Sequence, residues 1–342
     1  MAIRRLWFLL AFSLAALCSA WPALPAGAAP KKILIIETQT TEPYITITGA
    51  MLKTLAERYA EGRDIEIDRV SIGQHVGEAG NIWKYHDGAH AAVVYVAGTI
   101  AAQAMAPFMR AEPQVPFVFA SVTDPVGLGL IAGFGTRPQA NVTGVSFPPP
   151  LKERLRFVRR VMPNVRTIGL VYGDMPQSNA YRVWLEDLLA QDPEFKDLRI
   201  LFRKVDFVAG DNGTRRMAMR AAAFIHELDP QVDVFLAPND QMGINPAFPD
   251  MVVKTASKPL VGVIEPDARD GWGATMTYYP SLTGMGRQAG RMITRLLDGE
   301  PLASLPAETP KDVGVAFDWS LVARFGLTIP ADLAALSKKP EH

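Results

Sequence analysis

The sequence predicts an α/β protein of two similar, doubly wound parallel-sheet lobes joined by a hinge. Three observations predict it. Apolar, β-rich runs alternate with helical stretches throughout the chain. The alternation occurs twice in the same order, as expected for two tandem units of one design. Between the two sets lies "NVTGVSFPPPLKERL" (141–155), whose proline run marks a crossover.

In the first half, "KKILIIE" (31–37) reads as a strand and "GAMLKTLAERYAEG" (49–62) as a helix. "DIEIDRVSI" is a second strand and "AHAAVVYVAG" (89–98) a third, followed by the alanine-rich helical stretch "TIAAQAMAPFM". "VPFVFASV" (115–122) is the fourth. Such near-continuous apolar runs suit strands covered on both faces of a parallel sheet.

The second half repeats the scheme with strands at "VRTIGLVYG" (165–173), "LRILFRKVDF" (198–207), "VDVFLAPND" (232–240) and "KPLVGVIEPD" (258–267). Helices are expected at 179–191 and 215–228. Third and fourth strands start about 26 residues apart in both halves. The tail holds "GATMTYY" (273–279), a helix at 284–300 and "KDVGVAFDWSLV" (311–322), which would supply one spare strand and helix to each lobe.

Residues 1–29 fit no lobe. Arg4 and Arg5 precede an apolar run from Leu6 to Leu17, and small residues follow in "ALPAGAAP". That is the layout of a secretory signal peptide, with an apolar run short for a membrane span. Cleavage is expected near Ala26 to Ala29, with Ala20 as the alternative site. The expected product is a soluble periplasmic protein. Its division is 1–29 signal peptide, 30–145 plus 273–303 lobe 1, and 146–272 plus 304–335 lobe 2.

The only cysteine, Cys18, falls in the leader, so the remainder has neither a disulfide nor a thiol nucleophile. The whole chain has 35 basic and 35 acidic residues. The leader holds two of the arginines and no acid, so removing it leaves a slight acidic excess. That balance points away from nucleic acid and from anionic membrane surfaces.

Ligands of parallel sheets bind outside the carboxyl ends of the strands. Here those exits are polar: Glu37 to Gln39, Gly98-Thr99 and Ser121 to Asp124 in the first half. In the second they are Gly173 to Asn179, Asn239-Asp240 and Glu265 to Asp267. If the lobes face one another, the six sets line one cleft. Thr99, Ser178 and Asn179 also stand at expected helix starts, where backbone N–H groups hold anions. The candidate ligand-binding residues are Thr38, Tyr44, Thr99, Ser121, Asp124, Ser178, Asn179, Asp240 and Glu265. In the simplest scheme Asp124 and Asp240, on opposite lobes, hold an ammonium group while N–H groups near Thr99 or Ser178 hold a carboxylate. Tyr172, Tyr181, Trp83 and Tyr85 are further aromatic candidates, each equally suited to a core or rim position.

Several sequence blocks carry a resemblance: "VPFVFASVTDPVGLGL", "NVTGVS", "LRFVRRVMPNVRTIGLVYG", "APND" and "SLTGMGRQAGRMITRLLDGEPLASLPAETPKD". In this order they are similar to the ABC transporter substrate-binding proteins of the tryptophan/tyrosine-type group, across nearly the whole chain after the leader. The resemblance implies the type 1 periplasmic-binding fold, with hinge crossings near residues 145, 272 and 305. It also implies solute capture for a permease and an ATPase, and cleft positions for Thr99, Ser121, Asp124, Ser178, Asn179 and Asp240. Two loops depart from that group's pattern. This chain has "TTEPYITIT" where "HPALD"-like sequences are usual, and "PQSN" in place of "EANS".

Other motifs point nowhere further. The "GLG" after Asp124 is no phosphate loop, since no Gly-x-Gly-x-x-Gly opens a helix and no Gly-Lys-Ser/Thr occurs. A Gly-x-Ser-x-Gly nucleophile elbow is absent as well. His86 and His90 are four apart but Gly88 interrupts them, and His86-Asp87 reads as a surface pair. The basic stretch "LKERLRFVRR" (151–160) reads as a solvated helix face. The expectation is a monomeric binding protein with no cofactor, no metal and no catalytic residues. Its ligand would be a small molecule, such as an amino acid or related carboxylate. The alternative is a periplasmic sensing component that presents its liganded form to a membrane receptor.

Overall fold

A computed structural model describes residues 29–337 apart from Gln74 and Asp211. The expected leader, but for its last residue, lies outside the described residues. From Lys31 on, the chain forms one compact unit.

Two sheets carry the architecture. The first contains β1 (Lys31–Glu37), β2 (Ile65–Ser71), β3 (Val93–Ala97), β4 (Phe117–Val122) and β5 (Val142–Ser146). Its order is β2-β1-β3-β4-β5, and every pairing is parallel. The second contains β6 (Thr167–Gly173), β7 (Arg199–Val205), β8 (Val234–Leu236), β9 (Leu260–Gly262), β10 (Met276–Pro280) and β11 (Val313–Phe317). It runs β11-β10-β9-β8-β6-β7, parallel except for the β10–β11 pair.

Both sheets reverse their winding at one place, between β1 and β3 in the first and between β6 and β8 in the second. Helices leave on opposite faces there, which opens a crevice at the carboxyl ends of the strands. The sequence periodicity follows from the same layering. Ile33 to Ile36 are buried in succession, because helices cover both faces of β1. Each such side chain contributes roughly 1.5–3 kcal/mol on burial.

Helix Tyr44–Ala56 packs along helix Leu282–Leu297. The approach is close enough that a Cβ on Gly286 would stand 2.2 Å from the Ile47 carbonyl oxygen and 2.7 Å from the Ala50 Cβ. A glycine is therefore required there, and this tight seam sets where Tyr44 begins its helix.

Several expectations are corrected. Residues 142–146, read as part of a crossover, are strand β5 and pair with β4. The strand of "GATMTYY", assigned with 273–303 to the first lobe, is β10 of the second sheet. It is held there by β9 on one side and β11 on the other. The spare strands are thus both in the second sheet, and the first takes only helix Leu282–Leu297. The chain passes from β10 to that helix at Pro280-Ser281, not near 272. Glu308 still bridges Val145 of the first sheet, so the last passage falls between Glu308 and Val313. Finally, β9 ends at Gly262, and Glu265–Arg269 is helical where a strand was expected. Asp267 enforces that turn, its Oδ2 accepting from the Val263 and Ile264 N–H groups at 2.6 and 3.1 Å.

The basic helix Leu151–Val161 is not solvated throughout. Arg154 is buried, donating to the Tyr181 hydroxyl at 2.6 Å and to the Ala237 and Gly262 carbonyls at 3.2 and 2.8 Å. His86 pairs with Asp68 at 2.9 Å instead of its neighbour Asp87, which pairs with His90 at 2.7 Å.

Candidate functional site

The strand ends of the two sheets meet around a small inner cavity of about 20 Å³, roughly the room one water molecule needs. Its lining from the first sheet's side includes Tyr44, Thr99, Ser121, Thr123 and Phe147. From the second sheet's side come Gln177, Asn239, Asp240, Gln241 and Ile244. Two hydrogen bonds bridge the sides. Gln241 Nε2 donates to the Tyr44 hydroxyl at 3.1 Å, and Asn239 Nδ2 donates to Thr123 Oγ at 3.1 Å. Gln177 Nε2 donates in turn to Gln241 Oε1, so an amide chain runs from Gln177 to Tyr44.

Outside it, and sharing Gln241 and Ile244, opens a cavity of about 630 Å³. It is lined by Thr41, Glu42, Ser71 and Gly73 on one side and Thr214, Asn245, Pro246 and Trp272 on the other. That volume suits a small metabolite. Another cavity of about 550 Å³ lies beside the passages between sheets, lined by Arg156, Phe157, Tyr278 and Leu333 among others. Arg156 is paired there with Glu153 and Glu194.

Four of the expected site residues line the inner cavity: Tyr44, Thr99, Ser121 and Asp240. Thr99 opens helix Thr99–Ala111 at the exit of β3, and its Oγ accepts from the Thr123 N–H at 3.0 Å. Ser121 has φ 60°, where the β4–β5 register shifts between Ala120 and Val122. The left-handed conformation costs a non-glycine residue on the order of 1–2 kcal/mol. Such strain recurs where a fold aims a side chain into a site.

Asp240 lies in the wall, but its oxygens are occupied. Oδ2 accepts from the Ser178 hydroxyl at 2.6 Å and the Gly173 N–H at 3.1 Å, while Oδ1 accepts from the Gly243 N–H at 2.8 Å. Burial pushes this carboxyl up, and the Ser178, Gly243 and Gly173 donors pull against that. Asp240 ties the ends of β6 and β8 to helix Pro176–Gln191 and so shapes the second wall.

The other five do not line either cavity. Thr38 is buried beneath the first wall, its hydroxyl donating to the Ala97 carbonyl at 3.1 Å and accepting from the Ala101 N–H at 3.2 Å. Ser178 supports Asp240, and Asn179 turns to Asp174 at 3.0 Å. Asp124 turns back on its own loop, where Oδ1 accepts from the Gly127 N–H at 2.7 Å. A Cβ at Gly127 would fall 2.0 Å from Asp124 Oδ2, so a larger residue there would displace the Asp124 carboxylate from this bond. The structure therefore does not bring Asp124 and Asp240 together around an ammonium group. Glu265 pairs with Arg269 on the short helix after β9.

The further aromatic candidates are elsewhere too. Trp83 stacks on Phe108 and Phe117, Tyr172 meets Phe202 edge-on, Tyr181 lies under Arg154, and Tyr85 is exposed. The residues missed were Thr123, Gln177, Asn239 and Gln241. All stand in the polar strand-exit segments or just after, but nothing in an isolated segment says which side chain turns inward.

The sequence profile described as "ABC transporter substrate binding protein" matches residues 44–340 of the chain. No curated protein matches it at a significant level. Among solved structures, it is similar to an ABC domain in complex with L-Trp from Streptococcus pneumonia. That pair is 22% identical, covers 91% of this chain and 99% of the other, and has a TM-score of 0.74. It is also similar to a conserved domain protein from Vibrio cholerae, at 22% identity, coverage of 90% and 98%, and TM-score 0.72. A third is a ligand-free, open substrate-binding protein with adhesive properties from Clostridium difficile. It is 19% identical, with coverage of 88% and 97% and TM-score 0.67. At these identities the likeness establishes the two-lobe fold.

Proposed function

Since the chain belongs to the ABC transporter substrate-binding protein family, we propose that it captures its solute in the cleft between the two sheets and holds it by closure. The observation that carries this reading is the pair of bridges across the cleft, Tyr44–Gln241 and Thr123–Asn239. They join side chains from opposite sheets at the strand ends where ligands of such sheets bind. Contacts that exist only when the lobes are together define a closed state that a ligand can favour.

The cleft residues act by binding. Tyr44, Thr99, Ser121, Thr123, Gln177, Asn239 and Gln241 offer hydroxyl and amide groups that orient a solute, and Phe147 and Ile244 cover it. The loaded form would then be presented to the membrane components of an ABC transporter. Export, removal of the leader and action as a monomer in the periplasm complete the reading. Among the described residues no helix is long and apolar enough to cross a membrane.

The test is a thermal-shift screen of amino acids, amines, polyols and small carboxylates, repeated on an Ile244→Trp variant that fills the cleft. A true ligand at about 100 times its Kd adds roughly 2.7 kcal/mol of stability. That gain should vanish in the folded variant. A ligand bound equally well by both proteins would place the site elsewhere.

A further inference from the structure

We propose that the cleft takes a small organic cation, an amine, whose ammonium group is seated on Glu42. This deepens the cleft reading above and rests on it.

The lining is one-sided in charge. Among the described residues, the inner and outer cavities present two carboxylates, Glu42 and Asp240, and no Lys, Arg or His. Asp240 is committed to its own lobe through three hydrogen bonds. Glu42 is not. Its Oε1 accepts from the Thr46 hydroxyl at 2.8 Å, while Oε2 is shielded from solvent and has no partner. Among the described residues Glu42 forms no ion pair, unlike Glu37, which is held by Arg69. A shielded carboxylate oxygen without a donor is unfavourable and is relieved by a charged donor.

The inner cavity asks for donors as well. The amide oxygens Gln177 Oε1 and Asn239 Oδ1 have no partner, and both residues are only 2% exposed. Their amide nitrogens are engaged, by Gln241 and Thr123 respectively, so each oxygen remains as an acceptor. Three unpartnered oxygens on residues that line one cleft favour a ligand rich in N–H or O–H donors. A ligand that placed a carboxylate there would face acceptors, with no basic side chain to offset its charge.

Trp272 lines the outer cavity from the side opposite Glu42. An indole face favours an alkylammonium or a flat ring against it.

The experiment uses two matched series that vary only in charge. The probes are tryptamine, L-tryptophan and indole-3-acetate, then tyramine, L-tyrosine and 4-hydroxyphenylacetate, titrated calorimetrically into the purified protein. In parallel, metabolites retained by the protein from a cell extract are identified by mass spectrometry. The amines, or a cation from the extract, should bind at least tenfold more tightly than any zwitterion or anion. Glu42→Gln should remove that preference while leaving the fold intact by circular dichroism. Tighter binding of a zwitterion or anion, or an unchanged cation affinity in Glu42→Gln, overturns the amine assignment. The cleft reading survives that result if Ile244→Trp, or the milder Thr123→Leu, still abolishes binding. A cation that binds these cleft variants as it binds the unaltered protein overturns both. Retention of no cation by either route also overturns the amine assignment.

Discussion

The Tyr44 hydroxyl accepts a hydrogen bond from Gln241 Nε2 at 3.1 Å, although the two residues are 197 positions apart and belong to opposite walls of the cleft. Tyr44 opens the helix that packs on Leu282–Leu297, and Gln241 follows the exit of β8. Their bond exists only with the walls together. A buried neutral hydrogen bond contributes on the order of 1 kcal/mol net. Tyr44→Phe should therefore lower the closed-to-open ratio about fivefold. Small-angle scattering of the two proteins without ligand would read this as a larger radius of gyration in the variant, and equal radii would count against the latch.

Asp240 and Asp124 should behave oppositely. Asp240→Ala leaves the Gly173 and Gly243 N–H groups and the Ser178 hydroxyl without their acceptor in a buried wall. A loss of about 2–3 kcal/mol in urea unfolding is expected. Asp124→Ala touches only the turn to Gly127, so ligand affinity should change less than twofold. An affinity loss of tenfold or more at Asp124 would show that its carboxylate does reach the ligand.

Gly286 should resist even the smallest side chain. The Ile47 carbonyl oxygen and Ala50 Cβ stand where a methyl group would go. Gly286→Ala is expected to cost about 1–3 kcal/mol as the helices separate. Because the seam positions Tyr44, ligand affinity should fall together with the melting temperature. A melting temperature within one or two degrees of the original would contradict the closeness of the seam.

Asp267 supplies a pH dependence. It is 0% exposed, and burial pushes its carboxyl up to about 7, against the Val263 and Ile264 N–H groups and Arg154, which pull it down. A folded-state value above the unfolded one means that the folded protein holds the extra proton between about pH 4 and 7. The stability from this group is full below that window and declines as pH rises through it. The slope is at most about 1.4 kcal/mol per pH unit. Asp267→Asn should flatten the fall in melting temperature across that window. Parallel curves for the two proteins would mean that Asp267 is already ionised in the fold.

Much of this molecule is legible in its sequence. The runs "KKILIIE" and "TIGLVYG" are largely apolar without alternation, which suits a doubly covered parallel strand, and the repetition of such runs in order implies two sheets. The polar residues after β1, β3, β4, β6 and β8 mark the end of each sheet where a ligand would bind. Thr99, Ser121 and Asp240 follow from that rule directly.

Other features depend on partners distant in the chain. "GATMTYY" is a good strand by composition for either lobe, and pairing with β9 and β11 decides which one receives it. Asp124 and Asp240 look alike as acids at strand exits. One faces the N–H of a glycine three residues on, whereas the other meets Gly173 and Ser178, far from it in sequence. Sequence by itself determined the layering and the edge where the cleft opens, because periodicity and strand-end polarity are local properties. Tertiary structure alone decided which polar atoms are already satisfied and which, like Glu42 Oε2, are left without a partner, because hydrogen-bond satisfaction depends on neighbours brought together only by the fold.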